Sequence, residues 1–554
     1  MSAWLPASVL ALRGYTVETF RHDLVAGVTV GLVALPLAMA FAIASGLTPQ
    51  AGIYCAVVTG FSISALGGSR VQIGGPTGAF VVVVSGIVAK YGVSGLFMCT
   101  MMAGVMLVIL GLTGSGNAVR FIPRPVVIGF PNGIAILIAS TQIRDFFGLQ
   151  LPENPGEFVR RIAVVAAHFS TISLAATALG ATTLAVVIAT NKYIRAVPGT
   201  LAGLVAGTTL AWLGSLPVET VESRFGGVPS GLPTIHIPAF EPALLLTLLS
   251  PAVTVAMLGA IESLMSAVVA DRMSGDRHNP NVELVGQGIA NILSPMFGGL
   301  PATGAIARTA TNVRSGARTP VAGMIHALTL AGVLLVGAPL AGRVPMAVLA
   351  ALLFVVAFNM GEWHEIPAIV RQTKGDISVW LATFALTVFA DLTVAVEIGM
   401  ILAALTYIRR VAVTTTVARV TKDYVDEGRA HALQDKDIPD DVTIFRIHGP
   451  FLFGSTDQLF GVLEHIDTLA PTVVFRLRNM TAIDATGLRA LEDVIVRLRA
   501  TGRNVILCGA RSQPLAVMEN AGFVDSVGRD NVCVNIDEAL ARASRLRIAK
   551  NAVA

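Results

Sequence analysis

The chain has 554 residues, of which 54% are hydrophobic and only 13% charged, and its formal net charge is +4. Soluble domains carry about 25% charged residues, so this composition, with a mean hydropathy of +0.72, excludes an ordinary soluble globule and reads as a polytopic membrane protein. The small positive charge reflects basic loops rather than a nucleic-acid surface, and no nucleic-acid partner is expected.

Residues 1–24 are polar or mixed, hold Arg13 and Arg21, and run straight into a full-length span; they read as a cytoplasmic N-terminal segment without a cleavable signal. A span needs about 20 predominantly apolar residues. Apolar runs predict segments 1 to 7 near 25–44, 51–66, 77–90, 95–113, 122–141, 172–190 and 198–214. A polar, proline-bearing stretch follows at 215–241, and segments 8 to 14 are predicted near 246–270, 281–297, 304–315, 319–338, 344–358, 376–390 and 392–412. The third segment of each set is short.

An odd number of segments per half inverts the second half relative to the first. With the N-terminus inside, the inner loops hold Arg70, Arg120, Arg124, Lys192, Arg195, Arg272, Arg277, Arg314, Arg318, Arg371 and Lys374. The outer loops hold Lys90, Arg144, Arg160, Arg161, Arg224 and Arg343, so the bias has the sign of the positive-inside rule.

Two stretches inside this hydrophobic chain are broken. Gly298–Thr319 contains P-A-T-G-A at 301–305, then Arg308, Asn312 and Arg314; Ile73–Phe80 contains P-T-G-A at 76–79. Gly78 and Gly304 lie 226 positions apart, in register with the repeat of spans. Two Gly/Pro kinks that merely let helices pack closely would also produce such an echo. Interrupted segments at matching positions in two halves are, however, a pointer to a transporter site. In this reading Thr303-Gly304-Ala305 opens a short helix with Arg308 about one turn on. Its unsatisfied N–H groups carry about half a positive charge, and the N-termini of segments 3 and 10 face one anion cavity.

Glu262 lies within the apolar stretch Val253–Val269. An acidic residue at bilayer centre costs roughly 2.5–3.5 kcal/mol on insertion scales and is usually functional. One reading is a salt bridge to Arg308; the other is a carboxylate that takes up a proton beside the anion. His236, His278, His326 and His364 are scattered without ligand spacing, no Ser/His/Asp set is visible, and neither an enzyme nor a metal site nor a cofactor is expected. Cys55, Cys99, Cys508 and Cys533 form no disulfide framework and read as small hydrophobes.

After Arg409-Arg410 the composition changes. Residues 414–440 are charged and read as a linker. Beyond it strands at Val442–Ile447, Thr472–Leu477 and Val505–Cys508 alternate with helices at Thr456–Leu469, Ala485–Ala500 and from Ala516, which implies a small α/β domain at 441–547.

These motifs resemble the SulP anion permeases, related to solute carrier family 26, over nearly the whole chain. The resemblance rests on A-L-P-L-A-M-A-F-A-I-A-S-G (34–46), G-G-P-T-G-A (74–79), I-E-S-L-M-S-A-V-V-A-D (261–271), G-Q-G-I-A-N (286–291), F-G-G-L-P-A-T-G-A (297–305), and Arg308 with G-A-R-T (316–319). The tail resembles a STAS domain through N-M-T-A-I-D-A-T-G-L (479–488).

The resemblance implies a transporter domain over 25–413, built as a seven-plus-seven inverted repeat. Segments 1–4 and 8–11 would form a core domain, and 5–7 and 12–14 a gate domain. It implies a multi-pass homodimer in the lipid of the cytoplasmic membrane, with the N-terminus and STAS domain cytoplasmic, working by an elevator. It places the anion against Thr77, Gly78 and Ala79, against Gly304, Ala305 and Arg308, and beside Pro36 and Leu37. Several animal relatives carry glutamine where Leu37 stands, so one polar contact is missing.

Sodium-coupled bicarbonate members carry aspartate at the position of Glu262 and threonine at those of Ser266 and Ile306. The longer acid and the apolar Ile306 therefore favour a proton over sodium as coupled ion. In the tail, phosphorylatable relatives carry serine directly after the aspartate; here Ala485 follows Asp484, and Thr486, one place on, is a phosphate acceptor in one reading and the cap of the helix in the favoured one, with a structural or regulatory role for the tail. The expected activity is proton-coupled secondary transport of sulfate or another inorganic oxyanion. A C4-dicarboxylate or bicarbonate transporter, or an uncoupled exchanger or channel, is the alternative. A nucleobase permease shares the architecture but would want acidic residues in place of Arg308.

Overall fold

Segment 1 shows how an apolar run becomes a long helix here. Thr16 caps Val17–Ala44 by accepting from the Thr19 amide at 3.2 Å, and Glu18 sits in the first turn, where the helix dipole favours an acid. Pro36 lies inside this helix and forfeits one backbone hydrogen bond without ending it. The computed structural model describes all residues except 1–3, 117–122, 154, 195–196, 228–230, 239–240, 391, 421–437, 462 and 554, and except the side chains of 392–393, 396–397, 463–465 and 550–553. Arg120, Arg195 and most of the stretch read as a linker lie outside the described residues.

Helices occupy the predicted segments in order. Segment 2 is Pro49–Leu66, and segments 3 and 4 form one run, Gly78–Leu112, interrupted at Gly92, whose φ of 69° and ψ of −176° are non-helical. Segment 5 is Arg124–Phe147, segment 6 Leu174–Tyr193 and segment 7 Gly199–Leu213. The second set is Leu245–Ser274, Pro280–Met296, Ile306–Arg314, Val321–Gly342, Met346–Met360, Lys374–Phe389 and Leu392–Thr414. Among the described residues eight helices are long and apolar enough to cross a membrane. Large apolar side chains such as Leu174, Leu246 and Val336 stay exposed, as lipid-facing positions do.

The chain divides into two compact units, Met1–Ile401 and Leu402–Ala554. Within the first, segment 9 packs on the segment 3–4 helix, segment 11 on segments 1 and 2, and segment 8 on the segment 3–4 helix. Segment 12 packs on segments 5 and 6, segment 13 on 5, and 6 on 7. These two groups are the core and gate of a seven-plus-seven inverted repeat. Glycines let the helices close up: a Cβ at Gly104 would stand 2.7 Å from the Gly288 carbonyl oxygen, and one at Gly288 would stand 2.6 Å from that of Gly104.

The second unit carries a five-stranded sheet in the order β3 (Thr416–Val420), β4 (Val442–Phe451), β5 (Thr472–Ile483), β6 (Asn504–Cys508) and β7 (Val532–Cys533). Only β3 is antiparallel. Helix Ala485–Ala500 covers one face through Leu491, Val494 and Leu498, and helix Ile536–Val553 covers the other through Ala539 and Ala543, as a parallel sheet requires. Three expectations change. β3 lies inside the stretch read as linker. The helix expected over Thr456–Leu469 is a short α-helix, Asp457–Phe460, and then a 3₁₀ turn, Leu463–Thr468. The cap of Ala485–Ala500 is Asp484, which accepts from the Gly487 amide at 2.8 Å and the Phe453 amide at 3.0 Å, leaving no capping role for Thr486.

Candidate functional site

The two broken stretches meet. Before segment 3 the chain forms β1 (Gly74–Gly75), and before segment 10 it forms β2 (Thr303–Gly304). They pair antiparallel, Gly74 with Gly304 and Gly75 with Thr303, so two half-helices start from one crossing and run apart.

The repeat in sequence is not a repeat in detail. Segment 3 starts at Gly78 with Thr77 as N-cap, whereas segment 10 starts at Ile306 with Ala305 as N-cap. The matching threonine, Thr303, is a strand residue. The reason is local capture of amides: Gly304 N–H donates to Ser263 Oγ at 3.1 Å, and Ala305 N–H donates to the Ile73 carbonyl at 2.8 Å. The helix therefore opens two residues later than the T-G-A motif implied, and the N–H groups without an intrahelical acceptor are those of Ile306, Ala307 and Arg308 on this side, and of Gly78 and Ala79 on the other. Neither N-cap side chain closes its helix end.

A polar lattice holds the stretch 71–76 onto segments 8 and 10. Asn312 donates to the Val71 carbonyl at 2.8 Å, Gln72 to the Ser263 carbonyl at 3.1 Å, and Ile73 N–H to Thr309 Oγ1 at 3.1 Å. Ser263 and Thr303 share a hydrogen bond of 2.6 Å, and Ser266 and Thr309 one of 3.1 Å. From segment 9, Asn291 Oδ1 accepts from Ala302 N–H at 2.9 Å while Nδ2 donates to the Ala302 carbonyl at 2.8 Å, as a strand neighbour would. Glu283 at the start of segment 9 accepts from the Gly68 and Ser69 amides at 2.8 and 3.1 Å and from Gln287 at 2.9 Å. Glu283, Asn291 and Ser263 are buried. Sequence reading passed over these supports, although I-E-S and G-Q-G-I-A-N were the motifs that contain Ser263 and Asn291.

Arg308 is buried and lies in the first turn of segment 10. Its Nη2 donates to the Pro76 carbonyl at 2.8 Å, and its Nη1 has no hydrogen-bond partner. Glu262, partly buried on segment 8, accepts from Thr77 Oγ1 at 2.9 Å. Among the described residues no ion pair joins Glu262 to Arg308, so the salt-bridge reading of Glu262 does not hold in this state. Pro36 and Leu37 are buried on segment 1. Opposite Gly78 the wall is apolar: a Cβ there would meet Ile138 at 3.1 Å, Met360 at 3.2 Å and Phe41 at 3.4 Å. The structure thus brings Thr77, Gly78, Glu262 and Arg308 to one place. It commits the amides of Gly304 and Ala305 to other partners.

His326 on segment 11 is fully buried and neither ring nitrogen has a partner. Among the described residues no group of acidic, histidine or cysteine side chains could hold a metal ion.

Discontinuous helices meeting at a buried cation, inside two sets of membrane segments, define an integral multi-pass membrane protein with the site architecture of secondary transporters. The chain belongs to the Sulfate permease family, which it matches over residues 20–383, and residues 434–539 match the STAS domain. It is 39% identical to YvdB of Bacillus subtilis (strain 168), a provisionally named sulfate transporter, over 95% of this chain and 98% of that one. It is 31% identical to the bicarbonate transporter BicA of Picosynechococcus sp. (strain ATCC 27264 / PCC 7002 / PR-6), over 95% of each chain. The transmembrane domain of a cyanobacterial BicA superposes with a TM-score of 0.61 at 33% identity, covering 70% of this chain and 98% of that one. Murine Slc26a9, at 18% identity, shares the fold over 98% of this chain and 94% of its own, with a TM-score of 0.87.

Proposed function

We propose that this protein is a proton-coupled secondary transporter of a small oxyanion, sulfate first, working as a homodimer in the cytoplasmic membrane with its N-terminus and STAS domain on the cytoplasmic side. The observation that carries it is Arg308: a buried guanidinium with Nη1 unpartnered, beside two uncapped helix N-termini. A buried charge without a counter-charge is strongly destabilising, by roughly 3–5 kcal/mol when a partner is removed. Two helix termini of about half a charge each and one arginine sum to about +2. That suits a monoanion or a dianion, with Glu262 neutral in the loaded state.

Glu262 supplies the coupling. Its carboxylate accepts from Thr77 and makes no ion pair with Arg308 among the described residues, so it is free to take up a proton as the anion arrives. An ionised Glu262 repels an incoming anion across a low-dielectric site, where charges interact far more strongly than in water. Proton and anion then enter together.

The elevator reading draws on where the hydrogen bonds lie. They fuse segments 8, 9 and 10 with the stretch before segment 3 into one body, whereas the contacts made by Gly78 with segments 5 and 12 are apolar. An apolar face lets the core slide with its bound anion without breaking hydrogen bonds.

Two relatives of 31% and 32% identity bear the name bicarbonate transporter, which supports bicarbonate as the second substrate reading. Sodium coupling fits less well, because Ile306 offers a sodium ion only its backbone oxygen. The test is uptake of labelled sulfate, bicarbonate and fumarate into proteoliposomes, in sodium-free buffer, with and without an inward proton gradient. Concentrative uptake of sulfate driven by the proton gradient is expected, and Glu262→Gln should reduce it to passive exchange. Uptake driven only when sodium is present, or a Gln variant that still concentrates substrate, would sink the coupling assignment.

A further inference from the structure

Thr77 stands between the proton site and the anion site. Its Oγ1 lies 2.9 Å from Glu262 Oε2. It is the N-cap of segment 3, yet it makes no side-chain bond to the helix it begins. An N-cap threonine ordinarily accepts from an amide of the first turn; here the hydroxyl is turned to segment 8 instead.

A hydroxyl has one hydrogen to donate and two positions at which to accept, while an ionised carboxylate only accepts. When Glu262 is ionised, the Thr77 hydrogen must point at it. The oxygen then shows only lone pairs to the helix N-terminus, a face that repels an anion. When Glu262 is protonated, its own O–H can donate to Thr77 Oγ1. The Thr77 hydrogen is released to turn toward the anion. The added proton comes from water and stays on Glu262; Thr77 keeps its hydrogen and rotates about its Cβ–Oγ1 bond, so no covalent bond to carbon changes.

We propose that Thr77 is a positioning residue that relays the protonation of Glu262 to the anion by reversing the direction of the Thr77–Glu262 hydrogen bond. The proposal rests on the reading of Glu262 as proton carrier. Among the described residues the groups that act on Glu262 are Thr77 from segment 3, by its hydrogen bond, and Arg308 from segment 10, by its charge, and segment 1 brings the apolar Phe41 against Gly78. Arg308 stays charged throughout, so Glu262 is the group whose charge changes.

The experiment measures binding of labelled sulfate, which stays a dianion across the series, to the full-length protein in liposomes at a range of pH, for the parent, Thr77→Val, Thr77→Ala, Thr77→Ser and Glu262→Gln. Valine keeps the shape of threonine without the hydroxyl. Thr77→Val and Thr77→Ala should weaken binding about tenfold at acid pH, the size of one hydrogen bond to a charged ligand, and should leave it nearly unchanged at alkaline pH, flattening the profile. Thr77→Ser should restore the parent's slope. A uniform loss at every pH with the slope intact makes Thr77 a plain ligand and overturns the relay, as does a parental profile in both Val and Ala variants. If Glu262→Gln itself keeps the parental slope, the reading of Glu262 fails and the relay with it. If Gln flattens the profile and Val does not, the relay alone fails.

Discussion

The Arg308 guanidinium lies where a side chain at residue 75 would be: a Cβ built on Gly75 would stand 2.4 Å from Nη1. Gly75 also has a φ of +154°, which L side chains rarely adopt. This glycine lets segment 10 reach its charge across the crossing to the Pro76 carbonyl.

Gly75→Ala should therefore behave like a loss of Arg308. Sulfate affinity is expected to fall at least tenfold, since a displaced guanidinium gives up a charge-assisted hydrogen bond worth about 1.5–3 kcal/mol. Arg308→Ala should abolish binding. Titration of labelled sulfate, alongside size-exclusion profiles to confirm folding, checks both. A Gly75→Ala variant with parental affinity would mean that Arg308 takes another route to the site.

Asn291 is the support whose removal should be felt most widely. Asn291→Leu leaves both the N–H and the carbonyl of Ala302 unpaired in a buried place, at roughly 1–3 kcal/mol for each orphaned group. The thermal midpoint should drop and sulfate binding should weaken together, because the strand leading into segment 10 loses its neighbour. Asn291→Asp keeps the acceptor and should fall between the parent and Leu in both measurements. Parental binding in a destabilised Leu variant would separate the lattice from the site.

The cysteines make a prediction about the second unit. Cys533 is partly exposed while Cys55, Cys99 and Cys508 are buried. A maleimide should modify Cys533 alone in the native protein, read by intact mass. Burial pushes the Cys508 thiol up to about 12, with the neighbouring Arg476 pulling the other way. Its protonated form is thus the folded form. The stabilisation is present below the ordinary thiol range near pH 9 and is lost as pH rises from there toward 12, where the unfolded chain gains by ionising. Raising the pH to 9 should not expose Cys508 to the reagent; a second fast modification there would show that the sheet face opens.

The proposed orientation, with the N-terminus inside, can be tested by labelling. Single-cysteine replacements at Lys192 and Glu222 in an otherwise cysteine-free protein should label from the cytoplasmic and the outer side, respectively. Arg224, two residues on, bridges Asp145 at 2.7 Å and also pairs with Glu219, which ties this stretch to the end of segment 5. Labelling of Glu222→Cys from the cytoplasm alone would remove the inverted arrangement.

Several features of this protein were legible from composition and local pattern. The bilayer forces each crossing stretch to be apolar and helical, so the segments could be read from runs such as 25–44 and 246–270. Pro301, the two T-G-A motifs and their spacing marked both broken helices, and alternating strands and helices marked the STAS unit. The interior of the site was not legible, because it is made by contacts between residues far apart: Thr77 with Glu262 across 185 positions, and Arg308 with Pro76 across 232. Identical T-G-A triplets take different structures since Ser263 and Ile73 capture the amides of only one of them. Nor could local pattern tell whether Glu262 pairs with Arg308 or with Thr77; both partners are chemically suitable, and only the geometry of the crossing brings the hydroxyl within hydrogen-bonding distance. Sequence alone determined which residues had to be helical, small or charged at membrane depth, and tertiary structure decided which buried donor meets which acceptor, because a hydrogen bond needs a distance and a direction that only packing sets.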